Sequence, residues 1–416
     1  ALPSFELKDT GKLPSYSLPG EKELTSNTFT DINAGLLGAG SVAWGDYDND
    51  GYLDIALTGK TLGSCGFLVS SIYHNNGNGT FTDINAGLAG IGDGSVAWGD
   101  YDNDGYLDIV LTGRTNVPEH YFSKIYHNNG NGTFTEINAS LVGLALGSVA
   151  WGDYDNDGYL DILLIGSNLS RQYLQLISKI YHNNGNGTFT DINANLTGVK
   201  GCAAWGDYDN DGYLDIVLTG LSSSNHPISK IYHNNGNGTF TDINAGLAGT
   251  NSGYAAWGDY DNDGYLDIVL TGYNYAYLPS HCFSKIYHNN GNGTFTDINA
   301  GLADILNSNA VWGDYDNDGY LDILLIGKIY NISQYISKIY HNNGNGTFTD
   351  INAGLAGTSG HSGSAAWGDY DNDGRLDVLL SGIHIPRIYH SQGDVANTVP
   401  SAPQGLNAVV SGNSVT

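Results

Sequence analysis

The sequence predicts an all-β chain: a seven-bladed β-propeller of four-stranded antiparallel blades, closed by an N-terminal strand that completes the last blade. Three observations lead there. The string Trp-Gly-Asp-Tyr-Asp-Asn-Asp-Gly occurs seven times, beginning at Trp44, Trp98, Trp151, Trp205, Trp257, Trp312 and Trp367. Around each copy lie four strand-length segments rich in β-branched and aromatic residues, separated by turn formers. The repeat is also out of phase with the chain: it opens on a lone fourth strand and ends after a third.

Each element follows in order. The copies are 52 to 55 residues apart, a period that signals a repeat architecture. In the first unit, Val42-Ala43-Trp44-Gly45-Asp46-Tyr47 leads into an acidic loop, and Leu53-Asp54-Ile55-Ala56-Leu57-Thr58 is an apolar second strand. A loop of varied sequence follows, then Ser71-Ile72-Tyr73-His74-Asn75. Asn76-Gly77-Asn78-Gly79 turns the chain into Thr80-Phe81-Thr82-Asp83-Ile84, as Asn-Gly pairs do where a turn needs positive φ. Four such strands repeated seven times make a propeller. An open solenoid would need polar capping repeats at both ends. Here the segment Thr28-Phe29-Thr30-Asp31-Ile32 has no blade of its own, and the last unit, ending near Arg387-Ile388-Tyr389-His390, lacks that very strand. Pairing the two closes the ring and leaves no open sheet edge. The propeller is expected over residues 27–396, with an extended arm at 1–26. Residues 397–416, with Pro400-Ser401-Ala402-Pro403, read as a linker and the opening strand of a fibronectin type III-like domain.

Among the 416 residues, Lys and Arg total 15 against 43 Asp and Glu, a formal charge of −28. Such a surface repels nucleic acid and anionic lipid. No apolar run reaches the roughly 18 residues a membrane span needs, so membrane insertion is not expected. The absence of Met and the start at Ala1-Leu2-Pro3 suit a processed, secreted protein, placed outside the cell or at its surface. Cys65, Cys202 and Cys282 have no metal-binding spacing and read as small buried or loop thiols.

The acid is concentrated in the repeated loop. Asp46-x-Asp48-x-Asp50-Gly51-x-x-Asp54 places four carboxylates within nine residues. Two like charges about 4 Å apart cost roughly 4 kcal/mol at an effective dielectric near 20, so the cluster calls for a counter-ion. Calcium accepts six to eight oxygen ligands in flexible geometry, whereas magnesium keeps a tight octahedron and its waters. The pattern shares its first six positions with the EF-hand loop and then departs, with Asp at position nine and strands on either side. By that analogy the ligands are the side chains at positions one, three, five and nine and the carbonyl at position seven. The sets are Asp46, Asp48, Asp50, Tyr52 and Asp54; Asp100, Asp102, Asp104, Tyr106 and Asp108; Asp153, Asp155, Asp157, Tyr159 and Asp161; Asp207, Asp209, Asp211, Tyr213 and Asp215; Asp259, Asp261, Asp263, Tyr265 and Asp267; Asp314, Asp316, Asp318, Tyr320 and Asp322; and Asp369, Asp371, Asp373, Arg375 and Asp377. These loops hold 28 of the 43 acidic residues, and seven Ca2+ ions would bring the charge from −28 to −14.

On these loops the chain resembles the FG-GAP/VCBS repeat proteins, the calcium-loop propellers that include the integrin α-subunit head. The resemblance covers roughly residues 27–391. It implies structural calcium, about one ion per blade, on the face opposite most ligand-binding loops. The last blade departs from the pattern: Arg375 replaces Tyr, and Ser391-Gln392-Gly393-Asp394 replaces Asn-Asn-Gly-Asn.

A histidine follows the third-strand tyrosine in every blade (His74, His127, His182, His233, His288, His341 and His390) and reads as a strand-surface residue. Asn78, Asn131, Asn186, Asn237, Asn292 and Asn345 open Asn-Gly-Thr sequons better explained as hairpin turns. No nucleophile elbow, phosphate loop or zinc signature is present. Seven equivalent acid clusters also supply no single asymmetric pocket for acid–base chemistry, so no enzyme is expected. The variable loops between second and third strands carry aromatic residues, including Tyr273-Asn274-Tyr275-Ala276-Tyr277, as interface loops do. The expected function is a secreted structural or adhesive module that contacts other protein subunits or extracellular glycans and proteins. Self-assembly into a fibre, tube or surface layer would suit it. A multivalent lectin and an integrin-like protein-binding head are the alternatives.

Overall fold

The computed structural model describes residues 29–61, 66–115, 120–170, 173–275, 281–330, 332–358, 363–382 and 386–392. The expected arm (1–26), the tail (397–416) and Cys65 lie outside these residues. The described residues form seven separate four-stranded antiparallel sheets. Blade one comprises Val42–Gly45, Asp54–Lys60, Leu68–Asn75 and Phe81–Asp83. Its strands pair in sequence order, as they do in each of the next five blades. Blade seven is built from Ala365–Gly368, Asp377–Leu380 and Arg387–Ser391, and its fourth strand is Phe29–Asp31 from the other end of the propeller. The register is antiparallel, with Thr30 opposite His390. The predicted closure is therefore present.

The core lies between blades. Ala43, Tyr47, Ala56 and Ile72 of blade one pack with Ile91, Val96, Trp98, Ile109 and Leu111 of blade two. The same arrangement joins Tyr370, Leu379 and Ile388 of blade seven to Leu36, Val42, Trp44 and Ile55 of blade one, so apolar packing runs around the whole ring. A sheet buried on both faces needs apolar residues along its whole second strand, which explains runs such as Asp108-Ile109-Val110-Leu111, all buried.

The repeated motif explains the fit between blades. Tyr47 stacks on Trp98 of the next blade at a centroid distance of 6.3 Å and 9° between planes, and Phe134 tilts against both rings. The Trp98 ring occupies the space where a side chain at Gly45 would stand: a Cβ there would meet its Cδ1 at 2.7 Å. Gly therefore follows Trp in the motif because the next blade's indole covers it.

Successive hairpins of a blade point to opposite faces of the ring. The acidic loop and the third-to-fourth-strand turn share one face, where a Cβ at Gly77 would meet the Tyr52 ring at 3.0 Å. The second-to-third-strand hairpins and the blade-to-blade connections share the other. Among the described residues, the exposed large hydrophobic side chains are Leu37, Phe67, Leu174, Tyr330 and Ile332, and all lie on that second face.

Candidate metal centre

Each acidic loop is a tight turn built around its own carboxylates. In blade one, Asp46 Oδ1 and Oδ2 accept the backbone N–H groups of Asp50 (3.1 Å) and Gly51 (2.9 Å). Asp50 Oδ1 accepts the N–H of Tyr52 at 2.9 Å. Asn49 at φ 60° and Gly51 at φ 90° make the turn, and at both angles Asn or Gly is favoured over other residues. Asp54 is fully buried and accepts Tyr47 N–H at 3.1 Å and Asn75 N–H at 2.7 Å. These bonds recur around the ring; the position-nine carboxylate, for example, takes the third-strand N–H at 2.7–2.8 Å in every blade. In blade seven that donor is Ser391 instead of asparagine.

Sequence reasoning put the seven histidines on the strand surface. The structure turns each of them onto its acidic loop. His74 Nδ1 lies 3.2 Å from Asp48 Oδ2 and 3.4 Å from Asp54 Oδ1, with Nε2 4.0 Å from Asp50 Oδ2. The other six repeat the contact with the position-three carboxylate at 3.2–3.3 Å. The signal available in the sequence was position: each histidine precedes the residue whose N–H holds the position-nine Asp.

The donor set fits a hard divalent cation. Burial raises the Asp54 carboxyl to about 8, with further elevation from Asp48 and Asp50. Asp108, Asp161, Asp215, Asp267 and Asp377 are raised to about 8 as well, and Asp322 to about 7, again chiefly by burial. At Asp48, Asp155 and Asp261 the Oδ1 atom is buried without a hydrogen-bond partner. Buried carboxylate oxygens that no protein donor satisfies are what a cation resolves. The position-three Asp and either the position-five or the position-nine Asp converge with the histidine within 4.8 Å, as in Asp102, Asp104 and His127 or Asp48, Asp54 and His74. The clusters bring together aspartates of positions three, five and nine, while the position-one Asp46 is engaged by the backbone of the same loop. The structure adds the histidines to them. Arg375, in the seventh loop, donates its backbone N–H and Nη1 to Asp373 (2.9 and 3.1 Å).

The FG-GAP-like repeat matches this chain over residues 66–111, 116–164, 178–218, 207–270, 271–325 and 329–380. The chain belongs to the FG-GAP-like repeat family. FG-GAP-like repeats are generally calcium-binding, and each repeat here carries one acidic cluster. A curated relative is cartilage acidic protein 1, 29% identical over 179 residues in both Homo sapiens and Mus musculus. The match takes in 40% of this chain, and the chain spans about a quarter of those relatives' length (26% and 27%). Solved structures similar to this FG-GAP-like propeller include an Agrocybe aegerita lectin that recognises non-reducing terminal N-acetylglucosamine. It has a TM-score of 0.48 and 20% identity, over 77% of this chain and 82% of its own. The V. cholerae biofilm matrix protein Bap1 gives 0.45 and 13%, over 90% of each chain. An α-L-arabinofuranosidase from Fusarium graminearum gives 0.44 and 12%, over 72% and 92%.

Other sequence expectations resolve simply. Cys202 is buried, its thiol raised to about 11 by burial, and both Cys202 and Cys282 are free thiols. The Asn78 carboxamide accepts from Thr80 N–H and Oγ1–H, so this Asn-Gly-Thr segment is a turn fastened by its own side chains. No helix in the described residues is long and apolar enough to cross a membrane.

Proposed function

We propose that this chain is a secreted structural or adhesive module without catalytic activity, whose seven acidic loops hold calcium and whose opposite face makes contacts. The ligands are the aspartates at positions one, three, five and nine of each loop, with the position-seven carbonyl. The carrying observation is the sevenfold cluster, in which a buried position-nine Asp and its neighbours receive backbone N–H groups; among the described residues of blades one to five the histidine is the one cationic partner shown for it. Calcium supplies the missing positive charge and a fixed centre for the loop. The chain's own residues set the cage: Gly51 and Asn49 bend it, the Asn75 N–H orients Asp54, and Tyr47 ties it to the next blade.

The other face supports the contact role. Tyr330 of blade six stacks on Tyr273 of blade five (6.1 Å, 26°), which sits beside Tyr275. The Tyr275 hydroxyl donates to the Asn225 carbonyl of blade four, so three blades share one aromatic ridge. Aromatic side chains of this kind anchor protein interfaces and offer flat surfaces to sugars. The absence of catalysis rests on equivalence: six position-nine carboxyls near 8 and one near 7 do not divide into an acid and a base. Residues 1–26 and 397–416 are assigned to an arm and a linker outside the ring.

The test is metal analysis, thermal melting and electron microscopy of purified protein with calcium and with chelator. About seven ions per chain, a melting point lowered by chelator and calcium-dependent assemblies are expected. Absence of bound calcium would remove the metal reading. Dispersed single rings at high concentration with calcium would remove the assembly reading, and a glycan array then separates sugar from protein partners.

A further inference from the structure

We infer that the seven loops load calcium as a coupled series, linked at six of the seven blade junctions, instead of as independent sites, an inference that rests on the calcium reading above. The observation is a pair of reciprocal asparagine links at the blade junctions. In the forward direction, Asn49 of loop one donates Nδ2–H to the Gly105 carbonyl of loop two at 2.8 Å. That carbonyl belongs to the peptide whose N–H, on Tyr106, donates to the ligand Asp104 at 2.9 Å. In the reverse direction, the buried Asn128 of blade two donates its carboxamide to the Tyr47 carbonyl of loop one at 2.8 Å and its backbone N–H to the ligand Asp108 at 2.8 Å. Tyr47 in turn donates its N–H to the ligand Asp54 at 3.1 Å. The reverse path therefore runs from one loop's carboxylates to the next loop's, and the forward path from the turn of one loop to a carboxylate of the next.

The links repeat at six of the seven junctions; the bonds shown include no forward one from Asn317 of blade six to blade seven. Asn103, Asn156, Asn210 and Asn262 make the forward bond at 2.7–2.8 Å, and Asn372 makes it across the closure to Gly51. Asn183, Asn234, Asn289 and Asn342 make the reverse bond at 2.8 Å, and Asn75 closes onto Tyr370 at 2.7 Å. Blade seven differs: Ser391 stands where the others have asparagine, so no carboxamide is available to reach back to blade six. A cation that fixes one loop fixes the donor or acceptor its neighbours need, and so lowers the ordering cost of the next ion. Electrostatics alone acts the other way, because each bound cation reduces the negative potential that attracts the next.

The experiment is a calcium titration of the full chain, run where circular dichroism shows the chelated protein folded. The expected result is seven ions with a Hill coefficient above 1, an occupied neighbour raising affinity by about fivefold or more, as site–site coupling commonly does. Asn128→Ser cuts the reverse link at one junction, and Ser391 shows that serine preserves the backbone bond to the ligand. This variant should keep its ion count and show a lower Hill coefficient; Asn183→Ser at the next junction serves if it does not fold. Seven ions with a coefficient of 1 or less, or a coefficient unchanged in the variant, overturns the coupling and leaves calcium binding standing. Failure to bind calcium at all overturns the metal reading, and the coupling with it.

Discussion

Asn128→Ala tests the proposition that blades are held together at the acidic face as well as through their apolar cores. Asn128 is fully buried, and its side chain serves three groups: the Tyr47 carbonyl at 2.8 Å, the Leu107 carbonyl at 3.1 Å and the Gly130 N–H at 3.1 Å. Alanine leaves all three without this partner while keeping the backbone bond to Asp108. The Tyr47 bond is buried and the other two are partly buried. At about 2 kcal/mol for the first and about 1 kcal/mol for each of the others, the loss is about 4 kcal/mol. For a chain of this size that lowers the melting temperature by about 5 °C. The control is Asn129→Ala, one residue on. Asn129 bonds only exposed turn groups of Thr133 and Thr135, and its removal should cost about 1 kcal/mol or less. Both variants are melted in saturating calcium. Equal losses from the two substitutions would refute the idea that a buried carboxamide joins the blades.

Three further outcomes follow from the same geometry. In chelator, the melting temperature should fall as pH rises from 5 to 8: position-nine carboxyls near 8 in the fold and near 3.8 when unfolded make the native state bind more protons across that window, and this stabilisation is lost as they ionise. Calcium needs the ionised form, so its stabilising effect should be largest at pH 8; a chelated protein that gains stability over this range contradicts the burial argument. Arg375→Tyr removes the guanidinium that holds Asp373 and should tighten calcium binding at the seventh loop by up to about fivefold, the worth of an exposed ion pair of about 1 kcal/mol. Gly45→Ala should cost about 1–3 kcal/mol in denaturant unfolding, because the Trp98 ring that it strikes is pinned between Tyr47 and Phe134; a neutral result would show that the junction has slack.

The ring and its acid loops were legible because each leaves a mark within a few residues. Strand alternation, Asn-Gly turns and four aspartates in nine positions are local patterns, and the phase of Phe29–Asp31 against Arg387–Ser391 discloses closure by subtraction. Contacts between repeats were not legible in this way. A repeated letter says that a residue matters in every blade, not whether it reads its own blade or the next. Gly45 answers to Trp98, and Asn128 answers to Tyr47, 81 residues away. The histidines were misplaced for a related reason. Alternation along the third strand assigns His74 to the side of the strand away from the core, and that side happens to be where the acidic loop folds back. The variable hairpins remained the least legible, since no repeat constrains them.

One short segment joins metal, core and neighbouring blade. Within Trp-Gly-Asp-Tyr, the indole covers the preceding blade's glycine, the aspartate opens the cation loop, and the tyrosine ring stacks on the following blade's indole. The backbone of Tyr47 meanwhile holds Asp54 through its N–H and Asn128 through its carbonyl. A loop distorted by uncompensated charge cannot relax without moving the tyrosine, and the tyrosine cannot move without opening the stack against Trp98. Charge neutralisation on one face is thereby converted into cohesion between blades. That is a physical reason for the same eight residues to be kept letter for letter in all seven copies, while the hairpins on the other face, free of both duties, differ from blade to blade.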